Sequence, residues 1–241
     1  MTSLYNEIKS RFQRICEKEG LLSETVQVRA KVLTPEEAIG HPEAQDFPLQ
    51  KGKERLMQAH FRDGTGQAFT DRFGDFDGTL DEVLHMSLKN NFRRAVFVST
   101  MNGVLRHLGV ARRTIHCRDQ EPAQCGEALA QHLKQQAGIT RVAQVGFQPR
   151  MVEFVSQGFS QRVLDLDPDN IGTRKFGVLV EGPEKAREVI HWADILLVTG
   201  TTLVNDTIQG FLGQKPVLFY GTTIAGAAAL MGWDRFCDRA R

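Results

Sequence analysis

Two neighbouring segments of this chain each join a run of apolar residues to a small, hydroxyl-rich turn. Residues 195–198 (Ile-Leu-Leu-Val) lead into Thr199-Gly200-Thr201-Thr202, and residues 216–220 lead into Gly221-Thr222-Thr223. Continuous apolar runs of this length are typical of strands that are buried on both faces of a parallel sheet. Because a helical segment follows each turn, the sequence predicts two strand–turn–helix units side by side in an α/β sheet.

The two Gly-Thr-Thr turns are the first candidate for a binding site. Turns of this kind lie at the carboxyl edge of a parallel sheet, where helix N-termini present free N–H groups and a positive dipole end. A helix cap needs one hydroxyl group and each turn supplies two, which favours ligand contact, although capping alone stays an alternative. The helix predicted over 203–212 places Asn205 and Asp206 in its first turn, with one of them facing the cleft.

The composition excludes several classes of protein. The chain has 241 residues, of which 41% are hydrophobic and 24% charged, and its net charge of +1 gives no reason to expect nucleic acid or an acidic membrane as partner. No apolar run approaches the roughly 18 residues of a membrane span, and the first residues lack the pattern of a secretory signal. The four cysteines show no disulfide spacing, so we expect a cytoplasmic protein.

The pattern changes near residue 109. Before it, the sequence predicts a helix, an antiparallel three-stranded meander with a hairpin signal at Asp63-Gly64-Thr65, and two helices. After it, strands and helices alternate, which is typical of a parallel sheet with right-handed crossovers. The expected domains are 1–110 and 111–241. The predicted elements are helices at 2–19, 79–89, 91–108, 121–137, 149–157 and 183–192, and strands at 24–32, 55–61, 66–70, 141–146, 161–165 and 177–180.

Acidic residues follow two of the predicted strands. Asp165 ends a strand at a position where such folds often carry an acid for a ribose hydroxyl group, although the Asp-Pro-Asp-Asn sequence at 167–170 also fits a simple turn. Asp71 comes directly after an apolar strand and can point into the same cleft. The sequence Gly-Phe-Gln-Pro at 146–149 is not a dinucleotide fingerprint, which argues against ordinary NAD chemistry.

A second candidate is a group of soft ligands between the two predicted domains. His116, Cys117 and Cys125 supply one imidazole and two thiols, with Asp119 or Glu121 as a further ligand for zinc, copper or another thiophilic metal ion. Their spacing is wider than that of a zinc knuckle. The alternative is a linker whose cysteines are merely buried.

The segment 199–207, preceded by Ala193-Asp194 and followed by the second Gly-Thr-Thr turn, resembles the signature of the putative heavy-metal-chelation family, first catalogued as a domain of unknown function. The resemblance implies an N-terminal domain like that of enolase, followed by a Rossmann-like domain. It also implies a ligand site in the cleft between the domains and a role in binding a metal ion or a metal chelate.

The sequence therefore supports two functions. The first is a protein that binds a small anionic ligand, a divalent or heavy metal ion or a metal chelate in the interdomain cleft. The second is an enzyme that uses a nucleotide-like or pterin-like cofactor there, with a perturbed carboxylate as acid or base. Assembly into a homo-oligomer stays open. A bulky residue at Gly200 is expected to block binding and leave the fold intact. The expected ligand-binding residues are Thr199, Gly200, Thr201, Thr202, Asn205, Gly221, Thr222, Thr223, Asp165 and Asp71.

Overall fold

The computed structural model describes residues 3–23, 27–41 and 54–241, which form a mixed α/β structure with two sheets. Part of the predicted strand over 24–32 and most of the loop expected over 34–52 lie outside these residues. Within them, no helix combines the length and apolar character that crossing a membrane requires.

The first sheet has four antiparallel strands in the order β3-β2-β1-β4, so the expected three-stranded meander is wrong by one strand. The additional strand, β4, pairs with β1 and has the sequence Phe-Asp-Gly-Thr, whose Asp and Gly are residues with low β-propensity. The elements of this half are α1 (Ser3–Lys18), β1 (Gln27–Leu33), α2 (Pro35–Ile39), β2 (Arg55–Phe61), β3 (Gly64–Thr70), β4 (Phe76–Thr79), α3 (Leu80–His85) and α4 (Asn91–His107).

The hairpin between β2 and β3 forms as expected, but its turn lies one position earlier. Phe61 pairs with Gly64, so the two turn residues are Arg62 and Asp63, and Arg62 adopts a left-handed conformation with φ of 51°. Arg55 pairs with Thr70 at the other end of the hairpin. This register places Glu54 and Asp71 at the same end of the hairpin, one position beyond the last pair.

The second sheet has seven strands in the order β11-β10-β9-β5-β6-β8-β7, and all neighbours are parallel except β7 and β8. The predicted parallel pairing of β9 with β10 is confirmed. The elements are α5 (Glu121–Lys134), β5 (Arg141–Val145), α6 (Pro149–Val155), β6 (Ser160–Leu164), β7 (Arg174–Lys175), β8 (Val178–Glu181), α7 (Ala186–Trp192), β9 (Ile195–Thr199), α8 (Thr201–Val204), β10 (Val217–Tyr220), α9 (Ala225–Met231) and β11 (Arg235–Phe236).

The strand order of this sheet reverses between β5 and β9. From β5 the chain moves outward to β6 and β8, and it then returns to the other side of β5 to form β9 and β10. The loops that follow β5 and β9 therefore leave the carboxyl edge of the sheet in opposite directions. Open α/β sheets bind their ligands in the crevice that such a reversal favours.

The prediction of a helix over 203–212 is wrong. Helix α8 ends at Val204, Asn205 is its C-cap, and Asp206 adopts a left-handed conformation with φ of 58°. The backbone carbonyl groups that would continue the helix accept other hydrogen bonds, from the Tyr5 hydroxyl group to Leu203 (2.6 Å) and from Nε of Arg94 to Val204 (2.5 Å). A 3₁₀ turn at Ile208–Phe211 follows.

One hydrophobic cluster connects the two sheets across the expected boundary at residue 110. It contains residues of α1, β2, α4, β9 and α9, and residues 94–105 of α4 are all buried. Helix α4 packs against β2 and β3 on one side and contacts α8 and α9 on the other. The division into domains 1–110 and 111–241 stays a prediction.

Candidate carboxyl-edge site

The second Gly-Thr-Thr turn, residues 221–223, is a packing element. Its Thr222 and Thr223 are 0% and 1% exposed, and the Thr223 hydroxyl group accepts a hydrogen bond of 3.0 Å from the backbone N–H of Phe69 in β3. The side-chain amide of Asn102 in α4 donates to the carbonyl groups of both threonines, at 3.2 and 3.1 Å. This turn therefore joins the two sheets, and its hydroxyl groups are not exposed to solvent.

The first turn, residues 199–202, packs directly against the second. A Cβ atom on Gly200 would lie 2.6 Å from the backbone nitrogen of Ile224, so only glycine allows this approach. The expectation that a bulky residue at Gly200 would leave the fold intact is therefore wrong. The hydroxyl group of Thr202 donates to the carbonyl group of Thr199 (2.7 Å). The N-cap of α8 is Gly200 and no described side chain caps this helix, so the capping role considered as the alternative is not observed at this turn.

The backbone N–H groups expected to hold an anion are largely engaged within the protein. Gly200 donates to the carbonyl group of Tyr220 (3.0 Å), Leu203 donates to that of Gly200 (3.1 Å), and Thr201 donates to the hydroxyl group of Thr199 (3.4 Å). Helix α8 also has only four residues, so its dipole is short. These contacts reduce the support for an anionic ligand at this turn.

Carboxyl groups from both sheets converge at this edge. Asp165 follows β6, and its two oxygens accept hydrogen bonds from the backbone N–H groups of Phe147 (2.6 Å) and Asp167 (2.7 Å). Burial raises the pKa of Asp165 despite these two donors. Burial also raises the pKa of Glu54 to about 7, and the negative charges of Asp165, Asp71 and Asp167 contribute to that rise. Four acidic groups thus share one electrostatic environment.

Glu54 was not among the residues expected from the sequence. An acidic residue that precedes a strand normally lies in solvent, and Glu54 stands beside the charged sequence Lys-Gly-Lys at 51–53. The signal that could have found it is the register of the hairpin, because Glu54 and Asp71 flank the pair formed by Arg55 and Thr70. Once Asp71 is a candidate, Glu54 becomes one as well.

Asn91, at the start of α4, connects two of the expected residues. Its side-chain amide donates to Oδ1 of Asp71 (2.6 Å) and to Oδ1 of Asn205 (3.1 Å). Asp71 follows β3 of the first sheet and Asn205 follows α8, which comes after β9 of the second, so this link connects the two halves of the structure. Of the pair Asn205 and Asp206, Asn205 is the residue that joins this network.

Tyr220, at the end of β10, contacts the loop after β5 at this edge of the sheet. The hydroxyl group of Tyr220 donates to the carbonyl oxygen of Gly146 (2.6 Å), and burial raises the pKa of that hydroxyl group. Gly146 has φ of 88°, and a Cβ atom there would lie 2.6 Å from Cγ2 of Thr199. Gly146 is thus the point where the loop after β5 contacts the first Gly-Thr-Thr turn.

The His116, Cys117 and Cys125 cluster does not form a ready metal site. Within the part of the chain that the structure describes, no group of three His, Cys, Asp or Glu side chains is arranged to hold a metal ion. The Nδ1 atom of His116 donates to the carbonyl group of Cys117 (2.6 Å), and burial lowers the pKa of His116 to about 4. Burial and the neighbouring thiol of Cys237 raise the pKa of Cys125 to about 11.

If this cluster nevertheless binds a soft metal ion, a double variant will show it. The cluster predicts that Cys117→Ser/Cys125→Ser loses one equivalent of bound Cd²⁺ relative to the wild type, measured by equilibrium dialysis and elemental analysis. Because each thiol must lose its proton, this binding would weaken as the pH falls. Unchanged Cd²⁺ content in the variant would assign the metal to another part of the protein.

Two surface cavities lie outside the candidate site. One has a volume of about 490 Å³ and includes Phe159, Arg174 and Phe176, and the other has a volume of about 410 Å³ and includes Arg112 and Trp233. Neither is lined by any of the expected ligand-binding residues.

Comparisons with known proteins find a family whose model covers the second-sheet part of this edge. Residues 128–225 match the model of a family, DUF364, whose description is "putative heavy-metal chelation". The family resemblance is confirmed. The DUF364 match contains the loops after β5, β6 and β9 and the turn after β10, and therefore all the candidates of the second sheet.

Two solved structures of DUF364 proteins with unknown function are similar in fold. One, from Pyrococcus horikoshii, has a TM-score of 0.54 and 14% identity over 91% of this chain and 79% of its own. Another, from Desulfitobacterium hafniense, has a TM-score of 0.52 and 12% identity over 74% of this chain and 72% of its own. At these identities the similarity concerns the fold. No curated protein matches the sequence.

Proposed function

We propose that this protein binds a metal cation, free or carried by a small chelator, at the carboxyl edge of its parallel sheet. The observation that carries the proposal is that acidic groups from both sheets act on one another: the charges of Asp71, Asp165 and Asp167 all contribute to the raised pKa of Glu54. Like charges at short range are unfavourable unless a cation or a proton neutralises them. Burial raises the pKa of Glu54 to about 7, and repulsion from Asp165, Asp71 and Asp167 adds to that rise.

The chemistry of these groups fits the DUF364 description. Deprotonated carboxylates attract and bind divalent cations. No three of the described acidic side chains are preformed as a set of metal ligands, so water or the chelator would complete the coordination of the ion. An anionic ligand without a metal ion would meet four acidic groups and N–H groups that are largely engaged by the protein. The Rossmann-like and enolase-like description of the two halves belongs to this proposal, because it places the ligand between them.

Glu54 is also the observation that favours the second function. A half-buried carboxyl group with a pKa of about 7 matches the requirement for a general acid or base at neutral pH. In that case a nucleotide-like or pterin-like cofactor would occupy the same crevice, and it would remain bound during purification as an absorbing species. A colourless protein that binds Cd²⁺ supports the first function.

The test is a titration of the metal-free protein with Cd²⁺ by isothermal titration calorimetry. We expect Asp71→Asn to weaken Cd²⁺ binding by about tenfold or more, since even the loss of an outer partner of a metal ligand costs this much. The Asp234→Asn variant is the control, because Asp234 is exposed and lies before β11 on another part of the surface. Equal affinities for the wild type and Asp71→Asn would contradict the proposed site.

A further inference from the structure

The orientation of the Asn91 side chain is determined by a buried cation. Arg94 is 9% exposed, and its guanidinium group donates to the carbonyl groups of Val204 (2.5 Å) and Leu88 (2.9 Å) and to Oδ1 of Asn91. An arginine side chain has only donors, so the atom of Asn91 that faces it must be the amide oxygen. The amide nitrogen of Asn91 therefore points towards Asp71 and Asn205.

The orientation of the Asn91 amide also determines that of the Asn205 amide. Because Asn91 presents N–H groups, the atom of Asn205 that faces it must be the oxygen, and Oδ1 of Asn205 accepts the hydrogen bond at 3.1 Å. The two N–H groups of Asn205 then point away from Asn91. Among the described residues, none accepts a hydrogen bond from them, and Asn205 is partly exposed.

Asp71 lies on the other side of the same amide. One of its carboxylate oxygens accepts from Asn91 at 2.6 Å, and its second oxygen stays available because Asp71 is exposed. The hydrogen bond between Arg94 and Asn91 thus places an acceptor, Asp71, and a donor, Asn205, on either side of the Asn91 side chain. A hydroxyl group can satisfy both, because it donates one hydrogen bond and accepts another.

We infer that Asn91 is a positioning residue that fixes Asn205 as a donor beside the acceptor Asp71, and that the pair selects a metal chelate whose chelator carries a hydroxyl group. The inference rests on the proposed function and specifies its ligand. Asn91 itself touches Asp71 and Asn205 and acts through them.

The experiment compares two chelators that differ by one hydroxyl group. The probes are the Cd²⁺ complexes of diaminopropanol, with its hydroxyl group on the central carbon, and of the matching diaminopropane. Both are cationic and suit an acidic site. We expect the wild type to bind the hydroxylated complex about fivefold more tightly, the contribution of one or two net hydrogen bonds. Calorimetry gives both dissociation constants.

The decisive variant is Asn91→Asp, which keeps the side-chain volume and an oxygen for Arg94 but has no N–H group to orient Asn205 or Asp71. We expect this variant to bind the two complexes with about equal affinity. The added negative charge affects both complexes alike, so it cancels in the ratio. Asn6→Asp makes the same chemical change at an exposed position of α1 and should keep the full preference.

The outcomes separate the inference from the proposed function. If the wild type binds both complexes equally, or if Asn91→Asp keeps the preference, the inference is wrong and the proposed function stands. If neither complex nor Cd²⁺ alone binds the wild type, both are wrong. An Asn91→Asp variant with a lower melting temperature but an unchanged ratio would show a structural role only.

Discussion

Replacement of Gly146 by alanine should lower the free energy of unfolding by about 3 kcal/mol, the largest stability effect expected of one added methyl group in this site. Two costs combine here. The residue has φ of 88°, which L side chains rarely adopt, and the new Cβ atom would lie 2.6 Å from Cγ2 of Thr199 and 3.2 Å from the Tyr220 hydroxyl group. Chemical denaturation of the two proteins measures the difference.

The matched control is Gly172→Ala. Gly172 has φ of 81°, but no atom lies within 4 Å of a Cβ placed there. Its substitution should therefore cost only the conformational part, about 1 to 2 kcal/mol. A Gly146→Ala variant as stable as Gly172→Ala would mean that the loop after β5 does not depend on close contact with Thr199.

Cation binding should strengthen about tenfold between pH 6 and pH 8, because Glu54 must lose its proton to take part. The pKa of Glu54 is about 7, so the group is mainly protonated at the lower pH and mainly ionised at the higher. In the Glu54→Gln variant we expect weaker Cd²⁺ binding at the higher pH and a flat profile across this range. The measurement is the dissociation constant for Cd²⁺ as a function of pH.

The same group gives an independent stability effect with a defined sign. Because folding raises the pKa of Glu54 from 4.5 to about 7, the folded state binds the proton more tightly, and its contribution to stability is lost as pH rises through 7. The free energy of unfolding should therefore fall as the pH rises from 4.5 to about 7. Glu54→Gln should reduce this fall. Glu127→Gln, at an exposed position of α5, should retain the wild-type pH dependence of both binding and stability.

The sequence predicted the parallel sheet well because its strands carry their own signal. Residues 195–198 and 216–220 are apolar without interruption, since neighbouring strands and helices cover both faces of β9 and β10. The end of α8 could not be predicted in this way. It is determined by Tyr5 and Arg94, which lie 198 and 110 residues away from the carbonyl groups they bind.

Some polar residues of the site could be predicted from the local sequence, and others depend on partners far away in the chain. Asp71 and Asp165 follow strands and could be found by position along the chain. Asn102 is a polar residue in an apolar helix, and its hydrogen bonds to Thr222 and Thr223 span 120 and 121 residues. Local sequence carries no information about such partners, which is also why the second Gly-Thr-Thr turn was expected to contact a ligand.

The buried position of α4 also limits how the protein can respond to a ligand. Many two-lobed binding proteins close around their ligand by a hinge, which requires an interface that water can enter. Here such an opening would break the bonds of Asn102 to the second turn and expose the apolar side chains that α4 shares between the sheets. For the proposed ligand we therefore expect a site whose two sides are fixed before binding, with recognition by lock and key and without closure of the two halves.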